Sequence, residues 1–283
     1  MNKKLFLFLL PFLLVFSGCK ENHMEHSTYH DNSQAGIVGE EGDEGKNMET
    51  VFNCNAQRLD KNMSSQEATR LYLQMLAEGK EKGYTPVLVF ADDILEESIE
   101  SSFKEAGSSE AYTKSVLAND HTNGKELLDA KYAALERTWG SEFLSIDEDN
   151  LSAWLSSPAR TDETTFIPPT LRFDGEAYLL QVPTAKPYEV FAWLPFCGWN
   201  ECPDVDEMIA ICKYWYDNYG AIPTTITYNM LIFYLEQPIT DMENAVNIAK
   251  EQCAFCSEVI GMGGIESYVA TTYNGYSWLF WWD

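Results

Sequence analysis

The pattern of hydrophobic and polar positions becomes regular from about residue 64 onward. Ser64 and Glu67 form a capping-box pattern, and apolar residues follow at helical spacing: Ala68, Leu71, Tyr72, Met75 and Leu76. The apolar run 85–91 is typical of a buried strand, and amphipathic helices are predicted over 93–106 and 125–139. Helices and strands are therefore mixed in this part of the chain.

The second half of the chain shows the same mixture in a denser pattern. Strands are predicted over 176–183, 188–196, 223–228, 230–236 and 276–282. One helix is predicted to begin at Pro203 and to end at Gly220. Another is predicted to be capped by Thr240 and Glu243, and a short one lies near 264–273. This mixture predicts an α+β fold, a mixed α/β sandwich in which helices flank a central sheet.

The first 18 residues are typical of an export signal peptide: a basic MNKK, a short apolar run and small residues before a cysteine. The ending Ser17-Gly18-Cys19 resembles the lipobox of bacterial lipoproteins, although Phe16 replaces the usual leucine. The resemblance implies cleavage before Cys19 and acylation of that cysteine, with palmitate among the acyl groups. We therefore expect a lipoprotein that Cys19 anchors to the lipid bilayer, at the periplasmic face or the cell surface of a bacterium. The alternative is an ordinary signal peptide with a chance cysteine.

Polar residues without periodicity follow the signal peptide and predict a flexible acidic tether over 19–60. The tether contains His23, His26 and His30, and clustered histidines can bind a metal. Since a tether has no fixed scaffold, we expect no metal site there.

The remaining sequence suggests two folded regions. The polar, proline-containing stretch 156–169 is the best internal linker candidate. We therefore assign 61–165 to an N-terminal α/β region and 166–283 to a C-terminal domain.

Composition narrows the possible partners. The net charge is −25, and hydrophobic residues make up 45% of the chain, enough for a real core. Nucleic acid repels so acidic a chain, so no nucleic-acid partner is expected. The charge favours cationic partners or simple solubility.

Residues from about 174 to 283 resemble a bacterial family, domain of unknown function 4253. The resemblance depends on four motifs at 186–203, 214–223, 249–256 and 278–283, and the strand at 83–90 also resembles one that precedes the domain in longer members. The family implies no established activity. Its pattern includes these residues of the present chain: Trp199, Asn200, Glu201, Cys202, Pro203, Tyr214, Trp215, Tyr219, Gly220, Glu251, Cys256, Trp281, Trp282 and Asp283.

The chain departs from the family pattern at four positions. Cys197 replaces a glycine, and Cys253 replaces an aromatic residue. Asn229 and Ile232 replace an aspartate and a glutamate. If those two acids act chemically in relatives, this chain has lost that chemistry.

A catalytic site is one hypothesis for the family residues. Glu201, Glu251 and Asp283 could form a carboxylate cluster near Cys202, because buried carboxylates can act as general acids. The C-terminal domain contains no histidine, and His121 lies upstream of it. The commonest general base is thus missing from the domain.

A binding site is the preferred hypothesis. Aromatic residues beside Asn and Glu on a loop make good recognition surfaces, so loop 197–203 is the first place to seek a ligand. The candidate binding residues are Trp199, Asn200, Glu201, Trp215 and Tyr219. The structural alternative is that the tryptophans form the core and the loop is only a shaped turn. We expect a non-catalytic domain that binds a protein or glycan partner without a cofactor. The alternatives are a hydrolase-like enzyme and an immunity-type protein that neutralises a toxin.

The cysteines of the domain allow three interpretations. Cys197, Cys202, Cys253 and Cys256 could bind zinc, pair as disulfides, or remain free and buried. An exported protein favours disulfides over zinc, so no metal is expected. Because Cys197 and Cys253 both depart from the family pattern, their matched gain suggests a Cys197–Cys253 disulfide. Cys202–Cys256 is the competing pair.

Overall fold

The computed structural model describes residues 48–142, 144–156, 167, 176–196, 198 and 200–282. The helices are α1 (Met48–Phe52), α2 (Ser65–Lys82), α3 (Asp93–Ala106), α4 (Ser109–Leu117), α5 (Gly124–Trp139), α6 (Glu148–Leu155), α7 (Val205–Tyr219), α8 (Met242–Phe255) and α9 (Glu258–Thr272). The strands are β1 (Asn55–Arg58), β2 (Thr85–Ala91), β3 (Glu176–Val182), β4 (Ala221–Ile226), β5 (Met230–Leu235) and β6 (Ser277–Trp281). A 3₁₀ helix spans Pro187–Ala192.

The six strands form one mixed sheet in the order β1-β3-β2-β4-β5-β6. Only β2 and β4 pair in parallel, and the other neighbours are antiparallel. With helices around it, this sheet confirms the predicted α+β fold.

A strand of the predicted N-terminal region lies between strands of the predicted C-terminal domain. The β2 strand, from the region 61–165, lies between β3 and β4. The compact unit that begins at Asn47 contains both regions. The predicted boundary between 61–165 and 166–283 therefore runs through one sheet instead of separating two cores. Most of the predicted linker 156–169 lies outside the described residues.

The two faces of the sheet pack against different helices because side chains alternate along each strand. Val87 and Val89 join the larger core, which also contains the apolar faces of α7 and α8. Leu88 points the other way and packs with residues of α2 such as Tyr72 and Leu76. The helices α2 and α7 thus lie on opposite faces of the sheet.

Trp215 of α7 lies at the centre of the larger core. Its ring stacks on Phe280, with centroids 5.6 Å apart and an interplanar angle of 16°. Its edge contacts include Phe255 at 4.9 Å and Trp278 at 5.4 Å between centroids. This aromatic cluster joins α7 and α8 to β6.

Several predicted elements are confirmed with small shifts. The capping box of Ser64 and Glu67 is formed at α2, and β2, α3, α5 and the β4–β5 hairpin lie where the pattern placed them. The starts of two helices differ by one or two residues from the prediction. Asp204 caps α7 by accepting a hydrogen bond from the Glu207 backbone N–H at 2.9 Å, so Pro203 precedes the helix. Asp241, rather than Thr240, caps α8 in the same way.

Two larger corrections concern the tether and the strand at 188–196. Residues 48–58 form α1 and β1, and β1 pairs with β3, so the predicted tether 19–60 extends too far into the fold. The predicted strand at 188–196 is largely the 3₁₀ helix Pro187–Ala192. That helix is buried on several sides, so its sequence lacks the polar stripe that distinguishes a helix from a strand.

Candidate functional site

A buried polar cluster forms where α8 packs against α7. Glu251 is only 8% exposed, and its carboxylate accepts hydrogen bonds from two residues of α7. Tyr214 Oη donates to Oε1 at 2.9 Å, and Trp215 Nε1 donates to Oε2 at 3.0 Å. The hydroxyl of Tyr219 lies 3.5 Å from Oε2 and 3.2 Å from the Tyr214 hydroxyl. We call these four residues the Glu251 cluster.

The electrostatics of the Glu251 cluster follow from its burial. Burial raises the pKa of Glu251, and the hydrogen bonds from Tyr214 and Trp215 oppose part of that rise. Burial also raises the pKa values of Tyr214 and Tyr219, so both hydroxyls remain protonated donors at neutral pH. The cluster joins two helices through neutral donors that satisfy a buried carboxylate.

The structure describes two of the three predicted carboxylates, and their hydrogen-bond partners differ. Glu201 is exposed in the loop before α7, and it accepts a hydrogen bond from Ser257 Oγ at 3.2 Å. None of the hydrogen bonds of Glu251 involves Glu201. Asp283, the third predicted acid, lies outside the described residues. Glu201 is thus an exposed carboxylate and Glu251 a buried one, with separate hydrogen-bond partners.

The predicted binding residues are also separated. Trp215 belongs to the core and is fully buried, which corrects its assignment to a recognition surface. Tyr219 is half-buried, and its ring packs edge-on against Trp278 at 6.1 Å. Asn200 and Glu201 are exposed, and Asn200 has a left-handed backbone with φ of 49°. Trp199 lies outside the described residues.

The cysteines that the structure describes in this domain are not paired. Cys202, Cys253 and Cys256 have free thiols, so neither predicted disulfide is formed, and Cys197 lies outside the described residues. Cys253 is fully buried on α8, and burial raises its pKa well above the usual value. Cys256 Sγ donates to the Trp281 carbonyl at 3.1 Å, and burial raises its pKa to about 12. Within the described ranges, no group of three or more His, Cys, Asp and Glu side chains is placed to hold a metal.

The two positions at which the chain lacks family acids are both buried. Asn229 lies in the turn between β4 and β5, and its side-chain oxygen accepts from Thr227 Oγ1 at 3.3 Å. Ile232 is fully buried in the middle of β5. His121, which the sequence placed upstream of the domain, lies before α5, and its Nε2 is 3.0 Å from Asp206 Oδ1 at the start of α7.

A cleft that no sequence pattern indicates lies at one end of the sheet. The cleft has a volume of about 470 Å³ and lies where α2 and α7 both end, next to the first residues of β2 and β4. Its lining residues are Leu76, Gly79, Lys80, Tyr84, Thr85, Ala185, Pro187, Tyr216, Asp217, Gly220, Ile222 and Glu236. We call it the α2–α7 cleft. Only the parallel pairing of β2 and β4 brings these distant segments together, so no local motif could reveal it.

Charged and aromatic side chains form the walls of the α2–α7 cleft. Lys80 Nζ contacts Glu236 Oε1 at 2.5 Å, and Lys213 pairs with Asp217. The ring of Tyr216 packs near Tyr188, with centroids 5.8 Å apart. A second depression, of about 530 Å³, is lined by Asn53, Glu110, Thr113, Lys114, Leu117, Ala118 and Trp193. Of the two, the α2–α7 cleft has more polar and aromatic groups in its walls.

The fold and the Glu251 cluster together define an α+β domain with a buried carboxylate between two helices. Residues 178–283 match the model of a family described as a domain of unknown function (DUF4253), which confirms the resemblance seen in the motifs. The match covers less than half of the chain and includes all four residues of the Glu251 cluster. Comparisons with curated proteins and with solved structures found no match. None of the helices in the described ranges is long and apolar enough to cross a membrane.

Proposed function

We propose that this protein is a membrane-anchored, non-catalytic binding protein and that the α2–α7 cleft is its ligand site. The observation behind the proposal is the cleft itself, in which tyrosine rings stand beside opposite charges at the end of a sheet. Its volume of about 470 Å³ falls within the range of small-ligand sites. A protein side chain or part of a glycan fits a site of this size and mixed chemistry.

The α2–α7 cleft is a different candidate site from loop residues 200–203, because the two lie at opposite ends of α7. Asp204 caps the start of α7, whereas Asp217 lies at its end and lines the cleft. At the helical rise per residue, these two positions are about 20 Å apart. The hydrogen bonds that hold Glu251 in the packing of α7 against α8 support a structural role for it over a catalytic one.

The anchor is the second part of the proposal. The export signal and the lipobox-like Ser17-Gly18-Cys19 support acylation of Cys19 and attachment to the bilayer. The binding domain then faces the periplasm or the cell surface. In that location the net charge of −25 favours partners with basic groups.

Site-specific photo-crosslinking tests the ligand site. The crosslinker p-benzoylphenylalanine replaces Tyr216 in the cleft or, as the control, Tyr228 in cells that make the protein. Tyr228 is 37% exposed in the β4–β5 turn, at the other end of β4 from the cleft. We expect one discrete adduct from position 216 and none from position 228. Equal adducts from both positions, or no adduct from position 216, would contradict the proposal.

A further inference from the structure

The chain contains two Asn-x-Ser motifs, the acceptor sequence for glycans that are joined to asparagine in exported proteins. One is Asn62-Met63-Ser64, between β1 and α2, and the other is Asn150-Leu151-Ser152, within α6. The predicted export signal directs the chain to the compartment in which such glycans are attached. Because so short a motif also arises by chance, its structural surroundings decide whether it can be used.

Asn62 occupies an exposed turn at the surface. The Met63 backbone N–H donates to the Asp60 carbonyl at 3.0 Å, which closes a four-residue turn. The Asn62 backbone N–H donates to Asp60 Oδ1 at 2.7 Å inside that turn. Asn62 itself is exposed, so its carboxamide is accessible to an enzyme. This is the surface-loop setting that an acceptor asparagine requires.

The hydroxyl of Ser64 is accessible at the same turn. Ser64 is the N-cap of α2 and has an extended backbone, with φ of −77° and ψ of 156°, so residues 62–64 precede the helix. Its hydroxyl donates to Glu67 Oε2 at 2.8 Å in an exposed position. Helix ends fray, so this hydrogen bond opens without unfolding the rest of α2. The Asn62 carboxamide and the Ser64 hydroxyl can then be presented to an enzyme together.

The motif at Asn150 has the same residue types in an unsuitable conformation. All three of its residues belong to α6, Glu148–Leu155. Side chains two residues apart on a helix do not face each other, so Asn150 and Ser152 point in different directions. Asn150 Nδ2 also lies beside α9, 3.9 Å from the position that a Cβ on Gly264 would take. The two motifs therefore form a matched pair within one chain.

We infer that Asn62 is a site of N-glycosylation and that Asn150 is not. The glycan donor is an oligosaccharide linked to a lipid diphosphate, and an oligosaccharyltransferase of the export compartment catalyses the reaction. The Asn62 side-chain nitrogen forms a bond to C1 of the first sugar as the bond between C1 and the phosphate oxygen breaks. The lipid diphosphate is the leaving group, and a base of the transferase takes the proton from the nitrogen. The inference rests on the export that the proposed function includes and is independent of the α2–α7 cleft.

Mass spectrometry of the full-length protein, purified from the membranes of the cells that encode it, tests this inference. We expect the peptide that contains Asn62 to carry the added mass of a glycan and to release sugar fragment ions. The peptide that contains Asn150 should have the mass of its sequence alone. Asn62→Gln should abolish the glycan, and Asn150→Gln should leave it in place.

Two substitutions at Ser64 separate glycosylation from helix capping. Ser64→Thr keeps both the acceptor hydroxyl and the cap, so the glycan should remain. Ser64→Asp keeps a good N-cap but removes the hydroxyl, so the glycan should be lost while the Tm matches that of Asn62→Gln. A role of Ser64 in folding alone would not distinguish these two variants.

Three results would overturn the inference. The first is an unmodified Asn62 in protein that is acylated at Cys19, the second is equal modification of Asn150, and the third is a glycan that persists on Asn62 in Ser64→Asp. The first result would leave the membrane anchor standing, because acylation shows that the chain was exported. A protein with neither acyl groups nor a glycan would contradict both the anchor and the glycosylation of Asn62.

Discussion

Glu251 shows how single residues of this domain serve its packing. The donors that the described residues supply to its carboxylate, Tyr214, Trp215 and Tyr219, are all neutral groups. A buried carboxylate without a cation in direct contact is costly, and hydrogen bonds reduce that cost. Because the donors come from α7 and the acceptor from α8, the cluster sets how these helices meet.

The pH dependence of stability should reveal the buried carboxylate. The pKa of Glu251 is raised in the folded state, so folding takes up a proton between the unfolded pKa and the raised folded value. Wild-type stability relative to Glu251→Gln is therefore expected to fall as the pH rises from about 4.5 through that window. Urea denaturation of both proteins across this range measures the difference.

Glu67 supplies a control of opposite sign. Hydrogen bonds from the Ser64 backbone and side chain lower the pKa of Glu67 in the folded state. The stability that ionised Glu67 contributes is present above its pKa in the unfolded chain. This stability is lost as the pH falls through its lower pKa in the folded protein. Wild-type stability relative to Glu67→Gln should thus rise with pH. A stability difference for Glu251→Gln that is flat, or that rises with pH, would show that the carboxylate is not buried in solution.

At the scale of elements, the end of β6 and the residue after it are adjacent tryptophans in different environments. Trp282 is fully buried against Phe255 and Phe196, whereas Trp281 is half-buried. Trp282→Ala is expected to lower the free energy of unfolding by about 3–5 kcal/mol. Trp281→Ala should cost clearly less, because less of its ring leaves water on folding. Chemical denaturation of the two variants measures both losses of stability. Equal losses would contradict the difference in burial between the two side chains.

The crossing of α5 and α7 gives a prediction in which helix propensity and packing disagree. A Cβ atom on Gly124 would lie 2.1 Å from the Ala210 carbonyl oxygen, which is backbone and can move only with its helix. Propensity alone favours Gly124→Ala by up to about 1 kcal/mol. We expect the steric clash to outweigh the gain in helix propensity, so that the free energy of unfolding falls by about 1–3 kcal/mol.

The neighbouring exposed residue Glu126 provides the comparison for that variant. Glu126→Ala, in the same first turn, should change stability by no more than about 0.5 kcal/mol. Thermal or urea unfolding measures both. A Gly124→Ala protein as stable as wild type, or more stable, would show that the two helices are not in such close contact.

Elements with a regular polar face were predictable, and buried or long-range features were not. The capping box at Ser64 and the helical spacing after it located α2 to within a residue. The 3₁₀ helix at 187–192 has the sequence pattern of a strand because its apolar residues face protein on several sides. The resemblance pointed to Trp215 and Glu251 separately, but their contact depends on how α7 packs on α8. The α2–α7 cleft depends in the same way on strand order.

The whole molecule differs most from expectation in where the fold begins. Phe52 of α1 is fully buried, and β1 pairs with β3 at one edge of the sheet. A chain that lacks 20–60 should therefore be less stable than one that lacks 20–46, by at least the cost of losing a buried phenylalanine, about 3–5 kcal/mol. Comparing the urea midpoints of the two deletions measures this. Equal urea midpoints would show that residues 47–60 add no stability to the fold, as expected of a tether.

Attachment to the bilayer is the last prediction and concerns the chain as a whole. Cell fractionation of wild type and Cys19→Ala tests it, because acyl chains on Cys19 provide the proposed anchor. We expect wild type in the membrane fraction, labelled by a fatty-acid analogue. We expect Cys19→Ala in the soluble fraction without label, and Cys54→Ala as the cysteine control should behave like wild type. The net charge of −25 makes electrostatic adhesion to anionic lipid unfavourable, so a high-salt wash should not release the wild type. A Cys19→Ala protein that stays on membranes after that wash, or a wild type without label, would refute the anchor while leaving the α2–α7 cleft to be tested separately.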